Sequence, residues 1–171
     1  HGTCFFPADL EIQHDEFGRP VARHLGYHDT VEMPNVSVSH ADGVMAALAS
    51  YEPYVGIDLE KIEPREESFE AVAFDDFERT LLAAAPDRFE AATRFWCAKE
   101  AVAKALGRGL NFGPHSVTVR ACYESSAVTD SEQVVGQAAL EENASSSQTQ
   151  SSNSWWLEVE LGPGLAAEFP H

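Results

Sequence analysis

A chain of 171 residues with 44% hydrophobic content can bury one substantial core, or two small lobes that share one, and is not generally disordered. Its net charge of −17 argues against general binding to nucleic acid, whose affinity rests on neutralising phosphates with Lys and Arg. No apolar run approaches the roughly 20 residues that cross a bilayer.

The chain opens His1-Gly2-Thr3-Cys4, without Met and without a signal-peptide pattern, which predicts a processed or excised piece of something longer. Cys4, Cys97 and Cys122 are an odd, scattered set with no Cys-x-x-Cys, so neither a disulfide framework nor a zinc site is expected and a reducing cytoplasm fits best. Residues 1–34 read as irregular with short strand-like runs, and Asp15-Glu16-Phe17-Gly18-Arg19-Pro20 is turn chemistry. Asn35 to His40 alternates apolar and polar residues, predicting a half-buried strand. Ala41-Asp42-Gly43 then reads as a hairpin turn, Val44 to Ala49 as the returning strand and Tyr54 to Leu59 as a third strand.

Helix signals run from Ser68 to Leu106, broken once at Pro86. The second helix begins near Asp87, which forms a capping-box pattern with Glu90. Phe89, Ala92, Phe95, Trp96, Val102, Ala103 and Leu106 make its apolar stripe, and Gly107 and Gly109 stop it. Val117 to Cys122 and Trp155 to Leu161 read as strands, with Gln133 to Ala139 a weaker one. Residues 141–154 are Ser-rich, polar and without a buried face, so a mobile loop is expected there. Strands, then helices, then strands predict an α+β fold rather than a doubly wound sheet.

Charge is distributed unevenly. Eight of the eleven basic residues lie between Lys61 and Arg108, so an anionic ligand is expected at the middle of the chain. Two of the three lysines, Lys99 and Lys104, fall within Trp96-Cys97-Ala98-Lys99-Glu100-Ala101-Val102-Ala103-Lys104, where Glu100 and Lys104 sit one helical turn apart. Upstream, Val55-Gly56-Ile57-Asp58-Leu59-Glu60 sets two carboxylates at strand spacing, on one face. Taken singly, Asp58 and Glu60 also fit a solvated strand face. Glu100 and Lys104 also fit a surface ion pair of about 0.3–0.5 kcal/mol. Arg19 and His40 each have bland readings at turns. Three carboxylates and a lysine together suit a magnesium site that handles phosphate.

In order, the chain reads Gly18-Arg19-Pro20, Val38-Ser39-His40, Gly56-Ile57-Asp58, Trp96 to Lys104, and Gly107-Arg108-Gly109-Leu110. This resembles the 4′-phosphopantetheinyl transferase superfamily, whose hallmark is Gly-Ile-Asp followed some forty residues later by Trp-x-x-Lys-Glu-Ala-x-x-Lys. The upstream elements look like the larger surfactin-synthetase-activating type rather than the short holo-acyl-carrier-protein synthase type. Only about fifty residues precede Gly56, which implies a shortened amino-terminal lobe over 1–53 ahead of a catalytic lobe over 54–171. It also implies a domain integrated in a polyketide or fatty-acid megasynthase, such as an enediyne synthase.

The resemblance implies transfer of 4′-phosphopantetheine from coenzyme A to a serine of an acyl or peptidyl carrier protein, converting apo to holo with release of adenosine 3′,5′-bisphosphate. It implies Asp58, Glu60 and Glu100 as magnesium ligands. Glu100 would take the serine proton and Lys104 would stabilise the leaving phosphate. It implies coenzyme contacts from Arg19, Pro20, Ser39, His40 and Lys99. Trp96 and Phe95 are expected to brace the helix from beneath. Arg65, Arg79, Arg88 and Arg94 are either a carrier-docking patch or charges balancing nearby acids. Net acidity opposes encounter with an acidic carrier, which a tethered carrier would offset; a second lobe or an oligomer could complete the site. The alternatives are a magnesium-dependent nuclease or phosphohydrolase, and an inactive docking module of a megasynthase.

Overall fold

The computed structural model describes residues 6–26, 31–125 and 154–169. After a single 3-10 turn over Pro7–Asp9, Leu10–His14 (β1) and Pro20–His24 (β2) form an antiparallel hairpin. Its turn is held by Asp15, whose Oδ1 accepts the Phe17 and Arg19 amides at 2.9 Å each, while Gly18 takes a φ of +81°. This regular hairpin lies where an irregular stretch with short strand-like runs was expected, and its turn falls within the expected turn residues Asp15 to Pro20. Leu10-Glu11-Ile12-Gln13 alternates apolar and polar residues, yet every residue of β1 is exposed.

Asn35–Ala41 (β3) and Val44–Ser50 (β4) form the second hairpin at the expected place. Asp42 (φ +50°) and Gly43 (φ +81°) supply the two positive-φ positions of its turn. The sheet order is β1-β2-β3-β4, and β2 meets β3 only at Val21 and Asn35. The burial of β3 reverses the usual pattern: Ser37 and Ser39 are buried, whereas Val38 and His40 are exposed.

Residues 54–59 are not a strand. They form an extended segment whose amides are taken up by side chains: Ile57 N–H donates to Ser37 Oγ (3.1 Å) and Leu59 N–H to Ser39 Oγ (3.2 Å). The serines of β3 point inward because they serve this segment. A buried amide without an acceptor would cost about 1–3 kcal/mol.

Three helices follow, Glu67–Ala73 (α1), Asp76–Ala84 (α2) and Arg88–Ala105 (α3). The break expected at Pro86 is present, and a second one separates α1 from α2. There Asp75 Oδ1 accepts the Glu78 amide (2.8 Å) and Glu78 Oε2 accepts the Asp75 amide (2.9 Å), a capping box that starts a new helix. Asp87 caps α3 by accepting the Glu90 amide (3.0 Å), but the Glu90 carboxylate pairs with Arg94 instead of reaching back. Gly107, at φ +68°, follows the end of α3 as expected.

After a 3-10 turn at Pro114–Ser116, Val117–Ser125 (β5) and Ser154–Leu161 (β6) pair antiparallel with an irregularity at Val119–Ala121. Pro163–Glu168 (α4) closes the described chain. The expected strand at 133–139 and nearly all of the Ser-rich stretch lie outside the described residues; Ser154 itself opens β6. The core joins the helices to the β5–β6 hairpin: Ala73, Phe74, Leu82, Ala92, Phe95 and Val119 are buried together, with Phe69, Trp96, Leu157 and Val159 packed around them. Phe89, expected in the stripe, is 44% exposed. The fold is α+β with antiparallel sheets. No helix among the described residues is long and apolar enough to cross a membrane.

Candidate active site

The segment 55–60 is clamped between β3 and α3. Gly56 is required by the closeness of that packing: a Cβ there would stand 1.9 Å from the Ala101 carbonyl oxygen and 2.7 Å from the Ala105 nitrogen. Backbone against backbone brings Asp58 to Lys104. Lys104 Nζ donates to Asp58 Oδ1 (2.7 Å), Ser39 Oγ (3.1 Å) and the Ile57 carbonyl (3.2 Å). Ser39 is the hub of this cluster. Its hydroxyl donates to Asp58 Oδ1 (2.9 Å) while its oxygen accepts from Lys104 and the Leu59 amide, which uses its full capacity of one donor and two acceptors.

Lys104 therefore pairs with Asp58 across the fold, not with Glu100 one turn away. The Asp58 side chain is 5% exposed and Lys104 29%. The second Asp58 oxygen, Oδ2, is buried with no hydrogen-bond partner among the described residues. Glu100 binds its proton more tightly than an ordinary glutamate. Burial contributes most, followed by the Asp58 charge; Lys104 opposes the shift and Glu60 adds to it. The Cys97 thiol faces the same carboxylates. Burial first, then the charge of Asp58 and its pull on the thiol proton, push it up to about 12, so it stays protonated. Glu60 is bound to Arg65 (2.6 Å), which also lies over the Phe69 ring.

Asp58 Oδ2 is an unpaired buried acceptor, and repulsion from Asp58 and Glu60 adds to the raised proton affinity of Glu100; a hard divalent ion would relieve both. Among the described residues no three His, Cys, Asp or Glu are already close enough together to hold a metal. Asp58 and Glu60 are instead occupied by Lys104 and Arg65.

Arg19 and Pro20 reach the other side of Lys104. A cleft of about 150 Å³ is lined by Phe17, Gly18, Arg19, Pro20, Ser37, Val38, Lys104, Gly107 and Gly109. It joins the β1–β2 turn to the loop after α3. A Cβ at Gly107 would lie 3.2 Å from Arg19 Nη1, so a larger residue there would press on the guanidinium. Arg108 covers the Phe17 ring from this loop, 4.6 Å from its centroid. Phe17, Ser37 and the glycine loop were not among the expected site residues. The Ser-x-Ser spacing of Ser37 and Ser39 was the available signal, since it puts both hydroxyls on one face.

Two expected coenzyme contacts fall elsewhere. His40 alternates to the face opposite Ser39, is exposed and pairs in register with Met45. Lys99 is corrected outright. It is wholly buried on the core side of α3, where Nζ donates to Glu78 Oε2 (2.7 Å), the Ala73 carbonyl (2.8 Å) and the Pro114 carbonyl (3.0 Å). All three ammonium protons are used within the fold, and none faces the cleft. Trp96 packs edge-on against Phe69 (5.0 Å between centroids) and Phe95 against Phe74, beneath the site. Arg79, Arg88 and Arg94 are each paired with a carboxylate, of Asp76, Glu70 and Glu90 respectively.

Residues 54–157, which carry the clamped segment, all three main helices and most of the β5–β6 hairpin, match the family model of the 4′-phosphopantetheinyl transferase superfamily. The chain belongs to that superfamily. No curated protein matches the chain. The match begins ahead of Gly56 and takes in Asp58, Glu60, Glu100 and Lys104, so the superfamily's segment holds both the Asp58–Lys104 pair and the buried Lys99. Ser39 comes from β3 and Arg19 from the β1–β2 turn, both ahead of the matched segment.

Proposed function

We propose that the chain transfers 4′-phosphopantetheine from coenzyme A to a serine of an acyl or peptidyl carrier protein, as a holo-acyl-carrier-protein synthase. The observation that supports this most is the buried, unpartnered Oδ2 of Asp58 beside Glu100 and Lys104. A buried carboxylate oxygen without a hydrogen-bond donor is costly, which fits an oxygen that takes a ligand. Asp58, Glu60 and Glu100 would hold magnesium. When bound, the ion would offset their repulsion and polarise the pyrophosphate.

Glu100 is suited to take the proton of the carrier serine, because its affinity for a proton is raised while it stays only half-buried. The serine oxygen forms a bond to the phosphorus that carries pantetheine. The bridging P–O bond breaks, and its electron pair leaves with adenosine 3′,5′-bisphosphate. Lys104 lies between the carboxylates and the Arg19 cleft, where it can donate to the leaving phosphate. Arg19 and Pro20 would position the coenzyme's phosphates, with the β1–β2 turn supplying this wall of the cleft.

The test is to mix apo carrier protein, coenzyme A and magnesium with the chain and weigh the carrier by mass spectrometry. One phosphopantetheine is gained with the wild type and lost in Glu100→Gln. Absence of any gain across acyl and peptidyl carriers, together with hydrolysis of a phosphodiester, overturns this reading.

A further inference from the structure

The two edges of the four-stranded sheet are protected differently. β1 carries Glu11, Gln13 and His14. β4 reads Val44-Met45-Ala46-Ala47-Leu48-Ala49-Ser50, with no charge, proline or glycine, and it pairs with β3 in unbroken register. Those are the devices by which edge strands avoid adding another strand, and β4 has none of them. Val44 is 58% exposed, Met45 73% and Leu48 42%. In a chain of net charge −17, an uncharged run of this length is the edge at which two copies can approach closely.

We propose that β4 pairs antiparallel with β4 of a second copy of this chain, about a two-fold axis at Ala47, joining the two sheets into one. Self-pairing about that axis sets Leu48 opposite Ala46, Met45 opposite Ala49 and Val44 opposite Ser50. Each large side chain meets a small one, so the edge is complementary to itself, as an isologous contact requires. An unrelated extended segment would gain the backbone bonds but not this match of sizes. The pairing also bears on the site. Ser37 and Ser39, which hold the Asp58 segment, lie opposite Leu48 and Ala46 in the β3–β4 register, so a strand added to β4 stiffens their support.

Sedimentation velocity of the full chain from micromolar to several hundred micromolar tests this. A dimer is expected, tightened by added salt as the mutual repulsion of two acidic chains is screened. Ala47 is exposed. Ala47→Lys and Ala47→Glu each place like charges across the axis and weaken the dimer at least ten-fold, and mixing the two variants restores a heterodimer. Ala49→Lys, opposite Met45, dissociates it through a second exposed position, with circular dichroism confirming folded monomers. A monomer at every concentration, an assembly of another order, a dimer indifferent to these substitutions, or charge variants that stay apart when mixed each overturns the proposal.

Discussion

Helix α3 carries two lysine–carboxylate pairs that look alike on paper and differ in burial and in hydrogen-bond satisfaction. On its core side, Lys99 and Glu78 are both fully buried. Every donor of Lys99 has an acceptor, and Glu78 also accepts the Val119 amide (2.8 Å) and the Asp75 amide (2.9 Å). On its other side, Lys104 and Asp58 leave Oδ2 without a partner and the ammonium partly in water. A saturated pair ties elements together: here it joins α2 and α3 to β5 and to the end of α1. An unsaturated pair keeps capacity for a ligand. Burial and satisfaction change together along this helix: the fully buried pair has every donor used, and the partly exposed pair leaves an acceptor open.

The largest effect is expected at the saturated pair. Lys99→Met strands the Glu78 carboxylate in the core and should cost about 3–5 kcal/mol in a denaturant titration. Adding Glu78→Leu should recover only part of this, because the Asp75 and Val119 amides then lose their acceptor. Full recovery would mean that the network is a simple pair. Lys104→Met should invert the balance. Carrier loading, measured by mass spectrometry, falls by about 10²–10³-fold, while the denaturation midpoint moves less than in Lys99→Met because this ammonium is partly hydrated. Equal destabilisation by the two substitutions would break the comparison.

Gly56→Ala tests whether backbone closeness sets the geometry of the unsaturated pair. The added methyl has no room against Ala101, so the segment must lift from α3. Loading should drop by about 10²-fold, with a stability loss of about 1–3 kcal/mol from overpacking. Wild-type loading would show that Asp58 is held by Ser39 and Lys104 alone.

The smallest effect concerns pH. Burial alone would raise the carboxyl of Asp75, yet the Glu78 amide, the Thr118 hydroxyl and the charges of Lys99 and Arg120 hold it below the ordinary value. A carboxylate depressed in the folded state contributes stability above its unfolded pKa of about 3.9 and loses it as pH falls through the folded value. Asp75→Asn should therefore flatten the acid limb of a plot of thermal midpoint against pH and leave its shape unchanged near neutrality. An unaltered acid limb would assign that limb to other carboxylates.

Much of the candidate site was legible because its signals are local. Gly56, Asp58 and Glu60 follow one another at short spacing, and Glu100 and Lys104 are one helical turn apart. The Asp42-Gly43 turn and the Asp87 cap depend on backbone chemistry that a few residues specify. The separation of Lys99 from Lys104 was not legible. Five residues of helix turn them about 140° apart, so they point different ways, but which direction meets the core depends on where α1, α2 and β5 pack. The half-buried strand expected at Asn35 to His40 is present as β3, but which of its faces is buried was not legible, for a related reason. Its valines form the usual buried stripe in sequence, yet its serines face inward, because amides of a segment twenty residues later need acceptors.

The sequence by itself determined the mixed α+β order, the two hairpin turns, the glycine stop after α3 and the set of acids and lysines from which the site is drawn. These rest on dihedral preferences, capping and helical period, which act over a few residues. Only the tertiary structure decided that residues 54–59 are clamped rather than paired in a sheet. The same is true of the partner of Lys104, which is Asp58 rather than Glu100, and of Lys99, which belongs to the core. Each of these depends on how distant elements satisfy one another's buried polar groups, and no local pattern carries that information.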